Sequence, residues 1–235
     1  MKPILFNTEM VRAILDGRKT MTRRIIKPQP VCYGPNKAFA AHDGDFFLSA
    51  EKKHLRCRVC GHDPEYSREG SNIVHHWKPP YLPGDILYVR ETWCKGKVDY
   101  GEEPDGRCVP FISQCPSEDD FIPKELAIRE GIGIEDVVWK PSIFMPKEAA
   151  RIFLRVKSVR VQRLRDMVLA DVLMEGIKEG DSYEETWDRW HKTWDSTVPK
   201  NPNKFKSYPY YWKDNPWVWV ISFERCEKPE EVPGC

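Results

Sequence analysis

Lys19, Thr22, Arg23 and Arg24 lie in one short stretch, Gly17-Arg-Lys-Thr-Met-Thr-Arg-Arg24, and carry the side chains best suited to chemistry. A threonine hydroxyl is a workable nucleophile only beside a base. A lysine can be that base only if burial or a second cation lowers its pKa from about 10.4. Arg23 and Arg24 can supply the second cation, or they can bind phosphate. A carboxylate that would complete such a set is Glu175. It falls with Val168 and Val172 at i, i+4, i+7 of a helical pattern, on the face that should be core. Burying it is costly unless a cation or donors meet it, so it either reaches solvent from the last turn or finds a partner. If the fold brings that helix to the opening stretch, Lys19 is the partner.

The local elements hold these groups in place. Asn7 or Thr8 can cap a helix, and Glu9 suits its positive end. Met10, Val11, Ile14 and Leu15 give a buried stripe, and Gly17 is the expected left-handed stop. From Thr20 the pattern changes to a period of two, ending at Pro28, so the cations sit on a tight helix-to-strand turn. Residues 1–30 hold seven Arg and Lys against two acids, in a chain whose net charge is +1. The positive charge is concentrated here, which argues against a wholly basic nucleic-acid binder and for a patch.

A chain of 235 residues with 40% apolar and 31% charged residues can bury a proper core. Twenty prolines and nine tryptophans imply many short elements and irregular connections. No run has the length of a membrane span, and Met1–Phe6 does not read as a secretory signal. The eight cysteines therefore read as cytoplasmic thiols. The reading is one domain over 1–235, with insertions at about 31–82 and 94–138.

Inside the first insertion lies Cys57-Arg-Val-Cys60-Gly-His62, a knuckle that can place two thiolates on one tetrahedral metal. Cys32, His54, His62, His75 and His76 are the available further ligands. The knuckle is either a structural zinc site or a reduced thiol pair in a loop.

Pro3–Phe6, Ile86–Trp93, Ile152–Val161 and Pro216–Phe223 read as strands, and Arg90-Glu91 as a salt bridge at a strand end or a functional pair. Residues 94–138 read as a polar connection, with one or two helical turns in Phe121–Glu130. Trp139–Pro146 reads as extended and kinked by its prolines. Asp166 caps the helix Met167–Glu175, closed by Gly176. Tyr183, Trp187, Trp190 and Trp194 recur at helical spacing, which fits a core face or a base-stacking stripe. About five scattered strands and three helices suit an α+β fold built on a small, mixed-direction barrel.

Gly17-Arg-Lys19-Thr-Met-Thr-Arg-Arg24 also fits the G-x-K-x-x-x-x-R signature of ASCH domains, a PUA-like β-barrel superfamily. The chain resembles phage and prophage proteins of that group through Ile4–Lys27, Pro83–Trp93, Trp139–Ile152 and Asn215–Trp219. The resemblance implies an RNA-, nucleotide- or modified-nucleoside-binding role in a basic cleft, with Gly17, Lys19, Arg23, Arg24 and Arg90 as candidate contacts. Small bacterial members hydrolyse the acetyl amide of N4-acetylcytidine with a Lys, a Thr and a Glu. Their Lys-Thr-x-Thr run matches Lys19–Thr22, so Lys19 and Thr22 take those roles and Glu175 takes the third. That chemistry requires no cofactor. A third reading is a phage accessory protein whose basic turn contacts another protein.

Overall fold

The Asn7 side chain accepts a hydrogen bond from the Met10 N–H at 2.8 Å, and this cap starts helix α1, Thr8–Leu15. The computed structural model describes residues 1–30, 46–49, 55–58, 77–102, 107–113, 121–134, 137–198 and 210–229. Over these residues the fold is mixed α+β with a sheet-rich core. The described ladders do not close into a barrel. None of the described helices is long and apolar enough to cross a membrane. The chain divides into two compact units. One is Met1–Gly17, Asp85–Arg155 and Glu224–Cys235; the other is Arg18–Gly84 and Val156–Phe223.

In the first unit β1, Lys2–Leu5, runs parallel to β5, Ile86–Arg90, which pairs antiparallel with the start of β10, Phe153–Arg163. Helix α1 buries Val11, Ala13 and Ile14, whereas Met10 and Leu15 of the expected stripe are only half-buried. Gly17 stops it at φ +75°, with its N–H on the Ile14 carbonyl.

The strand expected over Ile86–Trp93 is broken after Arg90. Glu91 turns inward, where Arg151 grips it through Nε at 3.0 Å and Nη2 at 2.9 Å. The same Nη2 donates to Glu125 at 2.7 Å. Arg90 is thus not the partner of Glu91; it donates to the Ile143 carbonyl and the Tyr88 hydroxyl. Trp93–Lys95 forms a separate strand β6, paired with β9, Phe121–Pro123, from which α2, Lys124–Arg129, continues.

Residues 94–138 are correspondingly less irregular than their composition suggests. They also carry the hairpin of β7, Lys97–Glu102, and β8, Cys108–Ser113. Its side chains are mostly exposed, so it has no apolar alternation to betray it. Two apolar clusters fill this unit, one around Tyr88, Trp93, Met145 and Phe153, the other around Cys94, Ile112, Ile122 and Ala127.

In the second unit the strand order is β10, then β11, Trp217–Cys226, then β2, Met21–Ile25. Within 31–82 the described residues include the short ladder of β3, Phe46–Leu48, and β4, Leu55–Cys57. Asp166 does not cap the helix that follows β10. It ends a 3-10 turn, Leu164–Asp166, and α3 spans Leu169–Met174 with Val168 at its N-cap. Val168 is 60% exposed rather than buried with Val172. Gly176 closes the helix at φ +90°. Helix α4, Tyr183–Thr197, is capped by Ser182. Trp190 and Trp194 of its aromatic stripe enter the core with Val172, Val218 and Val220, while Tyr183 is exposed.

Arg151 bridges two carboxylates that are 2% and 4% exposed. Removing it by Arg151→Met should cost about 3–5 kcal/mol in urea unfolding at neutral pH. Burial already pushes the Glu91 carboxyl above its ordinary range, against the pull of Arg151. A raised carboxyl favours the fold below its unfolded pKa and loses that favour as pH rises. The variant's deficit should therefore shrink on acidification; a deficit independent of pH would contradict this account.

Candidate functional site

Strand alternation divides the cations of the opening turn between two faces. Opposite β11, Met21, Arg23 and Ile25 pair with Ser222, Val220 and Val218, while Thr22 and Arg24 pair with Ile221 and Trp219. Met21 and Ile25 pack with Val218, Val220 and Val172 of α3, so Arg23 projects on the α3 side. Thr22 and Arg24 project on the other.

On the α3 side the structure brings four charged groups together. Lys19 Nζ donates to the Glu175 carboxylate at 2.8 Å, to the Glu175 carbonyl at 2.8 Å and to the Met21 carbonyl at 2.9 Å. Arg23 donates from Nη1 to the other Glu175 oxygen at 3.1 Å and from Nη2 to Asp171 at 2.7 Å. The side chains of Lys19 and Arg23 are fully buried. Arg23 Nε is buried with no hydrogen-bond partner among the described residues. Arg160 reaches the outer side of Asp171 at 3.6 Å. The Thr20 N–H on the Met174 carbonyl and Arg18 on the Gly176 carbonyl tie the same strand entry to the end of α3.

This geometry meets the carboxylate requirement of Glu175, and it changes what Lys19 and Arg23 are available for. Three acceptors match the three N–H groups of an ammonium, and none of the three is the Thr22 hydroxyl. Burial pushes Lys19 below its ordinary pKa, with Arg24 and Arg23 adding to the effect and Glu175 opposing it. Neither Lys19 nor Arg23 is an open phosphate contact, because each is committed to an internal carboxylate.

Asp171 belongs to the network and was not among the residues singled out from the sequence. Its signal was there: it stands four residues before Glu175, so both carboxylates occur on one helix face.

The Thr22 side of the sheet is lined by aromatic and cationic groups. Thr22 is 3% exposed, and Arg24 is half-buried. Burial pushes the Arg24 guanidinium down, while the Tyr81 phenol and Glu175 favour its charge. Phe46 packs edge-on against Trp217 at 5.1 Å, and the Arg163 guanidinium lies 4.6 Å from the same indole.

The remaining candidates fall elsewhere. Gly17 and Arg90 belong to the first unit. Cys57 is buried at the end of β4, whereas Cys32, His54, Cys60, His62, His75 and His76 lie outside the described residues. Among the described residues there is no cluster of three or more His, Cys, Asp and Glu suited to a metal. Comparison with protein-family models, with curated proteins and with solved structures gave no match.

Glu175→Gln should cost about 3–5 kcal/mol of unfolding free energy, because buried Lys19 would lose its carboxylate and Arg23 would keep only Asp171. Asp171→Asn should cost less, since Asp171 is nearer solvent and its Arg23 keeps Glu175. Equal losses in urea titrations of the two variants would contradict this ranking.

Proposed function

We propose that this chain is an ASCH-type, PUA-like module, its strands closing into a small mixed barrel, that binds RNA or a nucleotide or modified nucleoside. The observation that carries the reading is the sorting of the opening cations across β2. Lys19 and Arg23 are neutralised by Glu175 and Asp171, and Thr22 and Arg24 are directed to the opposite face. A hydroxyl, a guanidinium fork and the nearby Tyr81 phenol are the donors and acceptors that read the polar edge of a base or hold a phosphate. The Lys19–Glu175 pair supports this face from behind and does not itself meet the ligand.

Binding of cytidine monophosphate and of an oligouridylate, followed by calorimetry, should weaken about tenfold in Arg24→Ala. The oligomer's affinity should fall with added salt. Absence of binding by either probe at low salt would overturn the reading.

A second reading, hydrolysis of an acylated pyrimidine nucleoside of the N4-acetylcytidine type, is favoured by the lowered pKa of Lys19 beside Glu175. Here Thr22 Oγ attacks the amide carbonyl as Lys19 takes its proton, and Arg24 stabilises the oxyanion. The C–N bond breaks, the amine leaves with the proton from Lys19, and water then releases acetate from Thr22. Lys19 must first shed a proton and one of its three acceptors and then reach Thr22, which projects from the other face of β2, and this places the reading second. Release of cytidine from N4-acetylcytidine that is lost in both Thr22→Ala and Lys19→Ala supports it; release unchanged in either variant excludes the triad.

A further inference from the structure

In the second unit the end of β10 is locked to the approach to β11. Arg163 donates from Nη1 to the Asn215 carbonyl at 2.9 Å, the Leu164 N–H to the Pro216 carbonyl at 3.0 Å, and the Arg165 N–H to the Asn215 side chain at 2.8 Å. Arg165 also donates from Nε to the Trp212 carbonyl at 3.2 Å and from Nη2 to the Lys213 carbonyl at 2.6 Å. Those two carbonyls belong to the 3-10 turn Trp212–Asp214, which Asn215 closes in the left-handed region at φ 48°. Two residues later Trp217 begins β11, on the face that carries Thr22 and Arg24.

The other side of the turn lies on α4. The Trp212 N–H donates to Asp195 at 2.8 Å, and the Trp212 ring stacks on His191, with centroids 4.3 Å apart and planes tilted by 31°. Trp187 packs against both rings, 5.8 Å from each. His191 Nε2 is buried and meets no hydrogen-bond partner among the described residues. That arrangement suits a neutral ring. Protonation gives both ring nitrogens an N–H, so Nε2 would become a buried donor without an acceptor. The charged groups nearby are otherwise engaged. Asp188 pairs with Lys192 at 2.8 Å, Asp195 holds the Trp212 N–H, and the Asp214 carboxylate accepts the Tyr211 N–H at 3.1 Å. Lys213 is exposed, and Arg165 repels an imidazolium. Burial pushes His191 below its ordinary pKa, against Asp188 and Asp195 and with Arg165. A lowered histidine favours the docked turn above its unfolded value of about 6.5 and loses that favour as pH falls through the docked one.

We propose that His191 is a proton-sensitive latch: when neutral it holds the Trp212–Asn215 turn on α4 and so seats Trp217, and when protonated it releases the turn. Treating Trp217 as part of a ligand face rests on the function proposed above. The latch itself does not, because it is read without ligand.

The test is amide hydrogen exchange of the full chain from about pH 7.5 to about pH 5, corrected for the intrinsic pH dependence of exchange. Protection over residues 211–217 should fall across this range, while α3 and the start of α4 keep theirs. In His191→Phe, which retains a ring to stack on Trp212 and cannot take a proton, protection should stay level. The imidazole titration of His191 in the native protein, followed by NMR and assigned by its absence in His191→Gln, should share the midpoint of the exchange transition. Level protection in the native protein, the same fall in His191→Phe, a fall spread equally over α3 and α4, or two separate midpoints would each overturn the latch. Cytidine monophosphate affinity should fall on acidification more steeply in the native protein than in His191→Phe; equal pH dependence would overturn the link to the ligand face. Absence of binding at every pH would fail the function proposed above, and exchange would still decide the latch.

Discussion

Lys19 and Arg23 carry their charges into the interior of the second unit, where among the described residues Glu175 and Asp171 are the carboxylates that answer them. A buried ammonium or guanidinium without a counter-charge is strongly unfavourable, so β2 and the end of α3 must be brought together in one register. The left-handed Gly176 then ends α3 with its last carbonyls directed at Lys19, Thr20 and Arg18. The arrangement of the opening turn follows from this network. It also separates the cations of the opening turn, since strand alternation sends Arg24 and Thr22 to the other face of β2.

The first unit solves a similar problem with the charges reversed. Glu91 and Glu125 are the buried groups, and one guanidinium, that of Arg151, serves both. Breaking β5 after Arg90 is the structural consequence, because Glu91 has to turn inward to be reached. A planar fork with several donors can satisfy two carboxylates at once, which a lysine in that place does less well. In both units, then, ionic pairs specify where a strand begins or ends, and apolar packing fills the space around them.

Cations and rings form a second recurring pairing. Lys140 with Trp93, Lys124 with Trp139, Arg90 with Tyr88 and Arg163 with Trp217 each place positive charge near an aromatic ring. In such pairing the ring quadrupole offsets only part of the desolvation of the charge. A carboxylate supplies a full counter-charge. The distinction separates Lys19 and Arg23, buried against carboxylates, from Lys124 and Lys140, which lie against aromatic rings.

The sequence alone carried the helix cap at Asn7, the stops at Gly17 and Gly176, the long strands beginning near Phe153 and Trp217, and the need of Glu175 for a cation. These are local matters of backbone conformation, side-chain period and the cost of burying charge, and a short window contains them. Tertiary structure decided the rest. The exposed β7–β8 hairpin has no apolar alternation to read, and Asp166 lost the cap to a 3-10 turn that docking of Leu164 and Met167 into the core favours. Which anion answers Lys19, and that Asp171 answers Arg23, depends on segments about 150 residues apart being packed together. That choice is made by the whole charge and packing balance of the unit, which no local pattern encodes.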